Sequence, residues 1–206
     1  MKNMLKDTLI IFVITLIAGA VLGLVYDVTK EPIAHQQQLA KDAAYKEVFA
    51  DAEKFEEIAM QPDLAPETLT SYVTEQGFDA SVDSVAAAFD GGENRIGYVI
   101  TVTTHEGYGG DIQFTLGLRN DGTLNGISIL SIAETAGLGM KAGEVLVPQF
   151  AGKQVATFVT SKTGAASPEQ IDAISGATIT TDAFVNGVNA GLACFRAYLA
   201  EEGGAE

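Results

Sequence analysis

The sequence predicts an α+β protein in which an N-terminal membrane-spanning helix precedes one domain with an antiparallel sheet and flanking helices. Three observations support this prediction. They are an uncharged apolar run from Leu9 to Tyr26, period-two alternation between Ala80 and Ile132, and a helical apolar stripe near the C-terminus. A chain of 206 residues is long enough for one domain of ordinary size and a short accessory segment.

The apolar run predicts a transmembrane helix over residues 9–26. At about 1.5 Å per helical residue it nearly spans a hydrocarbon core of roughly 30 Å. Lys2 and Lys6 precede it, and this excess of positive charge places residues 1–8 in the cytoplasm and the rest of the chain outside the cell membrane. Ala18-Gly19-Ala20 also resembles a signal-peptide cleavage site. Because the apolar run continues beyond it, the pattern favours an uncleaved anchor.

The segment after the span is polar but keeps a helical period. From Ala40 through Phe55 to Ala59, apolar residues recur three or four positions apart among charged residues. This spacing predicts an amphipathic helix that Pro62 and Pro66 end, with "QPDLAPET" as a loop. Residues 27–66 are therefore predicted to form a helical neck and loop, followed by a domain over residues 67–206.

A three-stranded antiparallel meander is predicted in the middle of the chain. "DIQFTLGLR" alternates apolar and polar residues, and the flanking stretches "RIGYVITVTT" and "LNGISILSI" are rich in β-branched residues. The turn signals "HEGYGGD" and "NDG" separate the three. Beyond them, "AGLGMKAGEVLVPQFAGK" predicts a glycine-rich loop with a short helix, and "QVATFVTS" predicts another strand.

The last helix is predicted to begin near Thr181 or Asp182, either of which is a favourable N-cap. Its tail, "EEGGAE", is predicted to be solvated. The expected buried stripe consists of Val185, Val188, Leu192, Phe195 and Leu199.

Composition excludes several classes of function. The formal net charge of −15 repels phosphate backbones, so no nucleic-acid partner is predicted. A single cysteine, Cys194, allows no internal disulfide and no cysteine-based metal or iron-sulfur site, and its helical neighbours indicate a small buried apolar side chain. His35 and His105 lie far apart in sequence, so no metal site and no catalytic residue are predicted. The chain contains no Rossmann fingerprint or P-loop.

The stretch "IDAISGATITTDAF" allows two interpretations. Backbone amides, small residues and the positive end of a helix dipole suit a phosphate group. Here Gly176 and Ala177 would permit close approach, and the hydroxyls of Ser175, Thr178 and Thr180 would donate hydrogen bonds. The same residue types also collect before helices as ordinary caps.

The residues Asp172 to Thr178, "DAISGAT", resemble the flavinylation motif D-x-x-S/T-G-A-T. The order of elements along nearly the whole chain is similar to the RnfG/NqrC family of membrane-bound FMN-binding subunits. The resemblance implies an extracytoplasmic FMN-binding domain, with FMN attached to Thr178 through a phosphoester. It also implies a dedicated FMN transferase that recognises Asp172. Independently, no His or Lys stands beside Thr178 to act as base, so the attachment needs an external enzyme.

A second stretch, "AETAGLGMKA", resembles the E-T-P-G-L-G loop that packs near the flavin ring in that family. Ala136 replaces the usual proline. The implied cofactor neighbours are Glu134, Thr135, Gly137, Leu138 and Gly139. From the residues alone, Gly-Leu-Gly is more simply a turn with one buried leucine. Tyr108 in "HEGYGGD" is either a flavin-stacking ring or an aromatic in a glycine-rich hairpin.

The resemblance implies a redox subunit of an Rnf complex, which couples ferredoxin oxidation and NAD reduction to Na⁺ or H⁺ transport together with other membrane subunits. The compact length favours RnfG over NqrC, the subunit of the Na⁺-translocating quinone reductase, which stays as the alternative. A membrane-anchored binding module without redox activity is a further alternative. The protein alone is not expected to complete a turnover.

Overall fold

The fold is α+β, as the sequence predicts, in a computed structural model that describes residues 2–58 and 62–200. The predicted positions of Ala59 and of the tail "EEGGAE" lie outside those ranges. Within them the helices are α1 (Lys2–Val48), α2 (Pro66–Glu75), α3 (Ala142–Val145) and α4 (Thr178–Tyr198). The strands are β1 (Lys54–Glu57), β2 (Ala80–Phe89), β3 (Arg95–Thr104), β4 (Ile112–Arg119), β5 (Leu124–Ile132), β6 (Val159–Ser161) and β7 (Gln170–Asp172).

The chain divides into two compact units, Met1–Asp42 and Ala43–Glu206. The described residues of the first unit are helical, and its large apolar side chains between Leu9 and Leu39 are exposed. Among the residues that the structure describes, α1 is the one helix that is long and apolar enough to cross a membrane. These properties fit the predicted single-pass anchor.

The second unit is built on a five-stranded sheet in the order β1-β2-β3-β4-β5, with every neighbouring pair antiparallel. The predicted meander is confirmed as β3, β4 and β5. Strands β1 and β2 extend it on one side. β2 lies within the stretch of period-two alternation that begins at Ala80 but was not assigned as a separate strand, and β1 lies where a helix was predicted. The short strands β6 and β7 pair in parallel as a separate sheet.

Helix α4 covers one face of the large sheet. Phe184 stacks on Phe114 with ring centroids 4.6 Å apart, and a Cβ added at Gly187 would lie 2.8 Å from Phe114 Cζ. The helix can therefore approach the sheet closely only with glycine at this position. The predicted stripe is confirmed as buried, namely Val185, Val188, Leu192, Phe195 and Leu199. Cys194 is buried beside the stripe, and burial raises the pKa of its thiol to about 12.

The opposite face of the sheet is covered by the residues that follow Asp42. Tyr45, Val48 and Phe49 form a second buried cluster with Ala86 and Val99 of the sheet. The Asn125 side-chain amide donates a 2.5 Å hydrogen bond to the Val48 carbonyl, which ties the end of α1 to β5.

The predicted neck helix is too long. Helix α1 ends at Val48, and Phe55, expected on the helix, lies on β1. The Lys46 ammonium donates a 2.6 Å hydrogen bond to the Ala52 carbonyl, so the chain turns directly after the helix. Phe55 packs against Tyr45 at 5.4 Å between ring centroids. Pairing of β1 with β2 and this ring contact outweigh the helical spacing.

Two other local predictions are wrong. Pro66 was expected to lie in the loop "QPDLAPET" that ends the neck helix, but it begins α2. Proline is favoured in the first turn of a helix. The buried side chains of Leu69 and Val73 then form one face of α2. In "QVATFVTS" the strand covers only Val159–Ser161. The Phe158 N–H and carbonyl pair instead with the Asn189 side chain at 2.8 and 2.9 Å.

The predicted glycine-rich loop with a short helix is confirmed as α3 and its neighbouring turns.

Candidate FMN-binding site

One cavity of about 520 Å³ brings together three glycine-containing stretches that are distant in sequence. This volume lies within the roughly 300 to 1,000 Å³ of small-molecule sites. The hairpin between β3 and β4 supplies one lining residue, the segment after β5 supplies four, and the start of α4 with its preceding loop supplies five. The lining residues are Tyr108, Glu134, Thr135, Leu138, Gly139, Gly176, Ala177, Thr178, Ile179 and Thr180.

Helix α4 begins earlier than predicted and places Thr178 at its first position. Its N-cap is Ala177, which makes no side-chain cap hydrogen bond. The first-turn N–H groups of Thr178, Ile179 and Thr180 have no carbonyl within the helix to pair with. A helix of 21 residues therefore presents amide donors and the positive end of its dipole to the cavity.

Thr181, expected as an N-cap, instead lies inside the first turn and fixes the loop before the helix. Its hydroxyl accepts a 3.1 Å hydrogen bond from the Ile174 N–H and donates a 2.9 Å hydrogen bond to the Ala177 carbonyl. The side chain is fully buried. Gly176 completes the loop with φ of 79°, in the left-handed region that favours glycine.

Glu134 is the one charged residue among the lining residues named above. It is 9% exposed, and its Oε1 accepts a 3.3 Å hydrogen bond from the Gly109 N–H. Its Oε2 is buried and has no hydrogen-bond partner among the described residues. A buried polar atom without a hydrogen-bond partner lowers the free energy of unfolding. Such atoms are a feature of sites that bind ligands.

Gly139 lies against both Glu134 and the first turn of α4. A Cβ added at Gly139 would lie 2.7 Å from Thr180 Oγ1 and 2.8 Å from Glu134 Cβ. The glycine therefore allows the segment after β5 to approach the helix N-terminus, and this approach closes one side of the cavity. Thr180 itself is only 2% exposed.

The predicted residues and the lining residues of the cavity are not the same set. Ser175 and Gly137 lie in the same loops but not among the lining residues. Asp172 lies on β7 outside the cavity, and its Oδ1 is buried without a described partner. Sequence reasoning did not identify Ile179, a lining residue that is 54% exposed. A helix start at Thr178 would have placed it in the same turn.

Gln149 was also not identified, although it holds Asp172 in place. The Asp172 N–H donates to Gln149 Oε1 at 2.7 Å, and Gln149 Nε2 donates to the Asp172 carbonyl at 3.2 Å. On its other side β7 pairs with β6. The side-chain amide of Gln149 thus substitutes for a neighbouring strand. No sequence pattern indicates such a contact.

Comparison with known proteins agrees with this site. Residues 107–193 match the FMN-binding domain family, and residues 1–48 match the RnfG N-terminal region. The G subunit of the Na⁺-translocating ferredoxin:NAD⁺ oxidoreductase complex of Acetobacterium woodii is 31% identical over 95% of this chain and 93% of that protein. The chain belongs to the RnfG family. It carries an FMN-binding domain that contains all the cavity-lining residues.

Other RnfG relatives show similar coverage. The G subunit of the ion-translocating oxidoreductase complex of Methanosarcina acetivorans is 29% identical over 93% of this chain and 94% of that protein.

The crystal structure of Shewanella oneidensis NqrC is similar in fold, with a TM-score of 0.50 and 20% identity, covering 61% of this chain and 62% of that chain.

Proposed function

We propose that this chain is the FMN-carrying electron-transfer subunit of an Rnf-type ion-translocating ferredoxin:NAD⁺ oxidoreductase complex, with FMN attached covalently to Thr178. FMN supplies one- and two-electron redox chemistry when bound, and the protein supplies tethering, orientation and local electrostatics. The position of Thr178, at once the first residue of α4 and a lining residue of the cavity, carries the proposal.

Exposure separates Thr178 from the other hydroxyls of the motif. Thr180 and Thr181 are buried, and the Thr181 hydroxyl already makes two hydrogen bonds. Ser175 is exposed but does not line the cavity. Thr178 is half-buried and lines the cavity, and we infer that its Oγ is accessible from the space that would hold the cofactor.

The attachment reaction requires an external enzyme. Thr178 Oγ forms a bond to the FMN phosphorus of FAD, the pyrophosphate bond breaks, AMP leaves, and the hydroxyl proton passes to a base. A threonine hydroxyl is a weak nucleophile without a neighbouring base, and the cavity-lining residues include no His or Lys. An FMN transferase therefore supplies the base, and Asp172 is the residue that we assign to its recognition.

The residues of the site bind and orient the cofactor. The amides of the first turn of α4 stabilise the single negative charge of the phosphodiester. Leu138 and Ile179, which are 38% and 54% exposed, offer apolar surface for a flat ring system. Removing this surface from water on binding is favourable. Gly139 and Gly176 keep the backbone close enough for these contacts.

The proposal extends to the membrane topology and the partners of the chain. We propose residues 9–26 as the span, residues 1–8 as cytoplasmic, residues 27–66 as the connecting segment and residues 67–206 as the extracytoplasmic flavin domain. The relatives from Acetobacterium woodii and Methanosarcina acetivorans are named as components of multi-subunit complexes, which supports other Rnf subunits as partners. An NqrC-like role is the second candidate, and it rests on fold similarity at 20% identity.

Mass spectrometry tests the attachment. After co-expression with an FMN transferase, the intact full-length protein should gain the mass of FMN less one water and should fluoresce in a denaturing gel. Thr178→Val should lose both signals completely because it has no hydroxyl. Thr163→Val, at an exposed threonine outside the cavity, is the matched control and should be loaded like the wild type. A wild-type protein without added mass, or a loaded Thr178→Val, would contradict the proposal.

A further inference from the structure

The hairpin between β3 and β4 presents an aromatic ring to the cavity. Tyr108 is 70% exposed and lines the cavity. Among the residues that the structure describes, its side chain has no hydrogen bond or ring partner. The ring therefore contributes little to the core, and its exposed apolar surface is available to a ligand.

The glycines around Tyr108 allow the hairpin to lie directly on the segment after β5. A Cβ at Gly107 would lie 2.9 Å from Glu134 Oε1, and a Cβ at Gly109 would overlap the Ala133 carbonyl. The backbone can approach this closely only without side chains. Tyr108, between these two glycines, is consequently held next to the loop that contains Leu138.

Hydrogen bonds join the hairpin to two other elements of the site. The Gly109 N–H donates to Glu134 Oε1 at 3.3 Å, and Asn186 Nδ2 of α4 donates to Glu106 Oε2 at 2.8 Å. The hairpin is thus joined both to the segment after β5 and to the helix that carries Thr178. Because the bond to Glu134 comes from the residue directly after Tyr108, it controls the backbone that orients the ring.

We propose that Tyr108 stacks on the isoalloxazine ring of bound FMN and that Glu134 positions it through the Gly109 N–H. The inference rests on the proposed function, since it requires FMN in the cavity. An offset-stacked aromatic ring removes both π surfaces from water and fixes the cofactor's orientation. Tyr108 is then a cofactor-contacting residue, and the Oε1 of Glu134 acts through the hairpin.

Flavin fluorescence reports this contact. A phenol in van der Waals contact donates an electron to the excited flavin and receives it back, so emission is quenched. In the full-length, FMN-loaded protein, Tyr108→Leu should lengthen the flavin fluorescence lifetime several-fold. Tyr108→Phe should also lengthen it, because the phenyl ring is much harder to oxidise. Since Phe still stacks, this variant should keep the wild-type visible circular dichroism, which Tyr108→Leu should change.

Tyr198→Phe is the matched control. It also removes one phenol, but Tyr198 ends α4, roughly 30 Å along the helix from Thr178. The flavin fluorescence lifetime of Tyr198→Phe should equal that of the wild type. If Tyr108→Leu, at equal FMN content, has the same lifetime and circular dichroism as Tyr198→Phe, the stacking proposal is overturned.

Glu134 is tested by removal and rescue. Glu134→Ala deletes the acceptor for the Gly109 N–H and should lengthen the lifetime in a protein that retains Tyr108. Glu134→Gln keeps an acceptor oxygen and should restore the short lifetime. A lifetime in Glu134→Ala that equals the wild type would overturn the positioning role.

The two proposals fail in different ways. If denaturation removes FMN from the wild type, covalent attachment is wrong, whereas the lifetime comparison still decides the stacking proposal with FMN bound non-covalently. If FMN is covalent and Tyr108→Leu changes nothing, attachment stands and stacking is wrong.

Discussion

At the residue scale, the site depends on a glycine whose backbone lies so close to neighbouring side chains that an added Cβ would not fit. Gly139 contacts Thr180 and Glu134, two residues from different elements that both line the cavity. A methyl group at this point cannot be accommodated by moving the end of a flexible chain, since one of the two atoms is Glu134 Cβ. The identity of residue 139 therefore controls both packing and the shape of the site.

Gly139→Ala should destabilise the domain by about 1–3 kcal/mol, the usual cost of overpacking, and should also lower FMN loading. Its matched control is Gly143→Ala on α3, where the added Cβ would meet Ile129 Cδ1 at an ordinary 3.7 Å. The free energy of unfolding, from denaturant titration of both variants, measures the difference. Equal unfolding midpoints for the two variants would show that the contact at Gly139 relaxes without cost.

At the element scale, the short strand β7 matters because it leads into the motif loop. β6 pairs with one of its edges, and Gln149 bonds the backbone of Asp172. A three-residue strand has little stability of its own. The orientation of Asp172, and with it the start of the motif, thus depends on a side chain from a different segment.

Gln149→Ala should free the Asp172 N–H and carbonyl, cost about 1–3 kcal/mol and slow FMN loading. Hydrogen exchange at the Asp172 amide should become faster, and the initial rate of mass gain with the transferase should fall. Gln154→Ala is the control, because it removes an exposed glutamine that donates one hydrogen bond to the Asp121 carbonyl. Unchanged exchange at Asp172 would mean that β6 alone holds the strand.

At the scale of the whole molecule, the sheet requires cover on both faces. One face packs on α4, and the other packs on the cluster of Tyr45, Val48, Phe49 and Ala52. These four residues belong to the second compact unit, which begins at Ala43, within the last turns of α1. The compact unit that contains the sheet therefore begins before this cluster.

A chain that begins at residue 43 should be soluble without detergent and unfold cooperatively, since it keeps both layers of cover. A chain that begins at residue 59 should aggregate, because it lacks the four-residue cluster and β1 and thereby exposes Ala86, Ala88 and Val99. Size-exclusion chromatography and thermal circular dichroism distinguish the two chains. Aggregation of the longer chain in the absence of detergent would place the boundary elsewhere.

Local patterns predicted the elements whose period is long and regular. The apolar run, the alternation of β4 and the buried stripe of α4 all extend over several repeats, so one residue out of place does not hide them. The neck helix was predicted too long because Ala52 and Phe55 continue a helical spacing by coincidence. Helix α2 was missed because Pro66 was interpreted as an end, although proline also begins helices.

By itself, the sequence determined the apolar helix, the strand meander, the order of motifs and the likeness to RnfG, because each depends on residues that are close together along the chain. Only the tertiary structure decided that Tyr108, Glu134 and Thr178 line one cavity and that Thr178 begins α4. These features depend on how α4 packs on the sheet and on the close approach at Gly107, Gly109 and Gly139. Contacts between distant segments leave no period in the sequence that could reveal them.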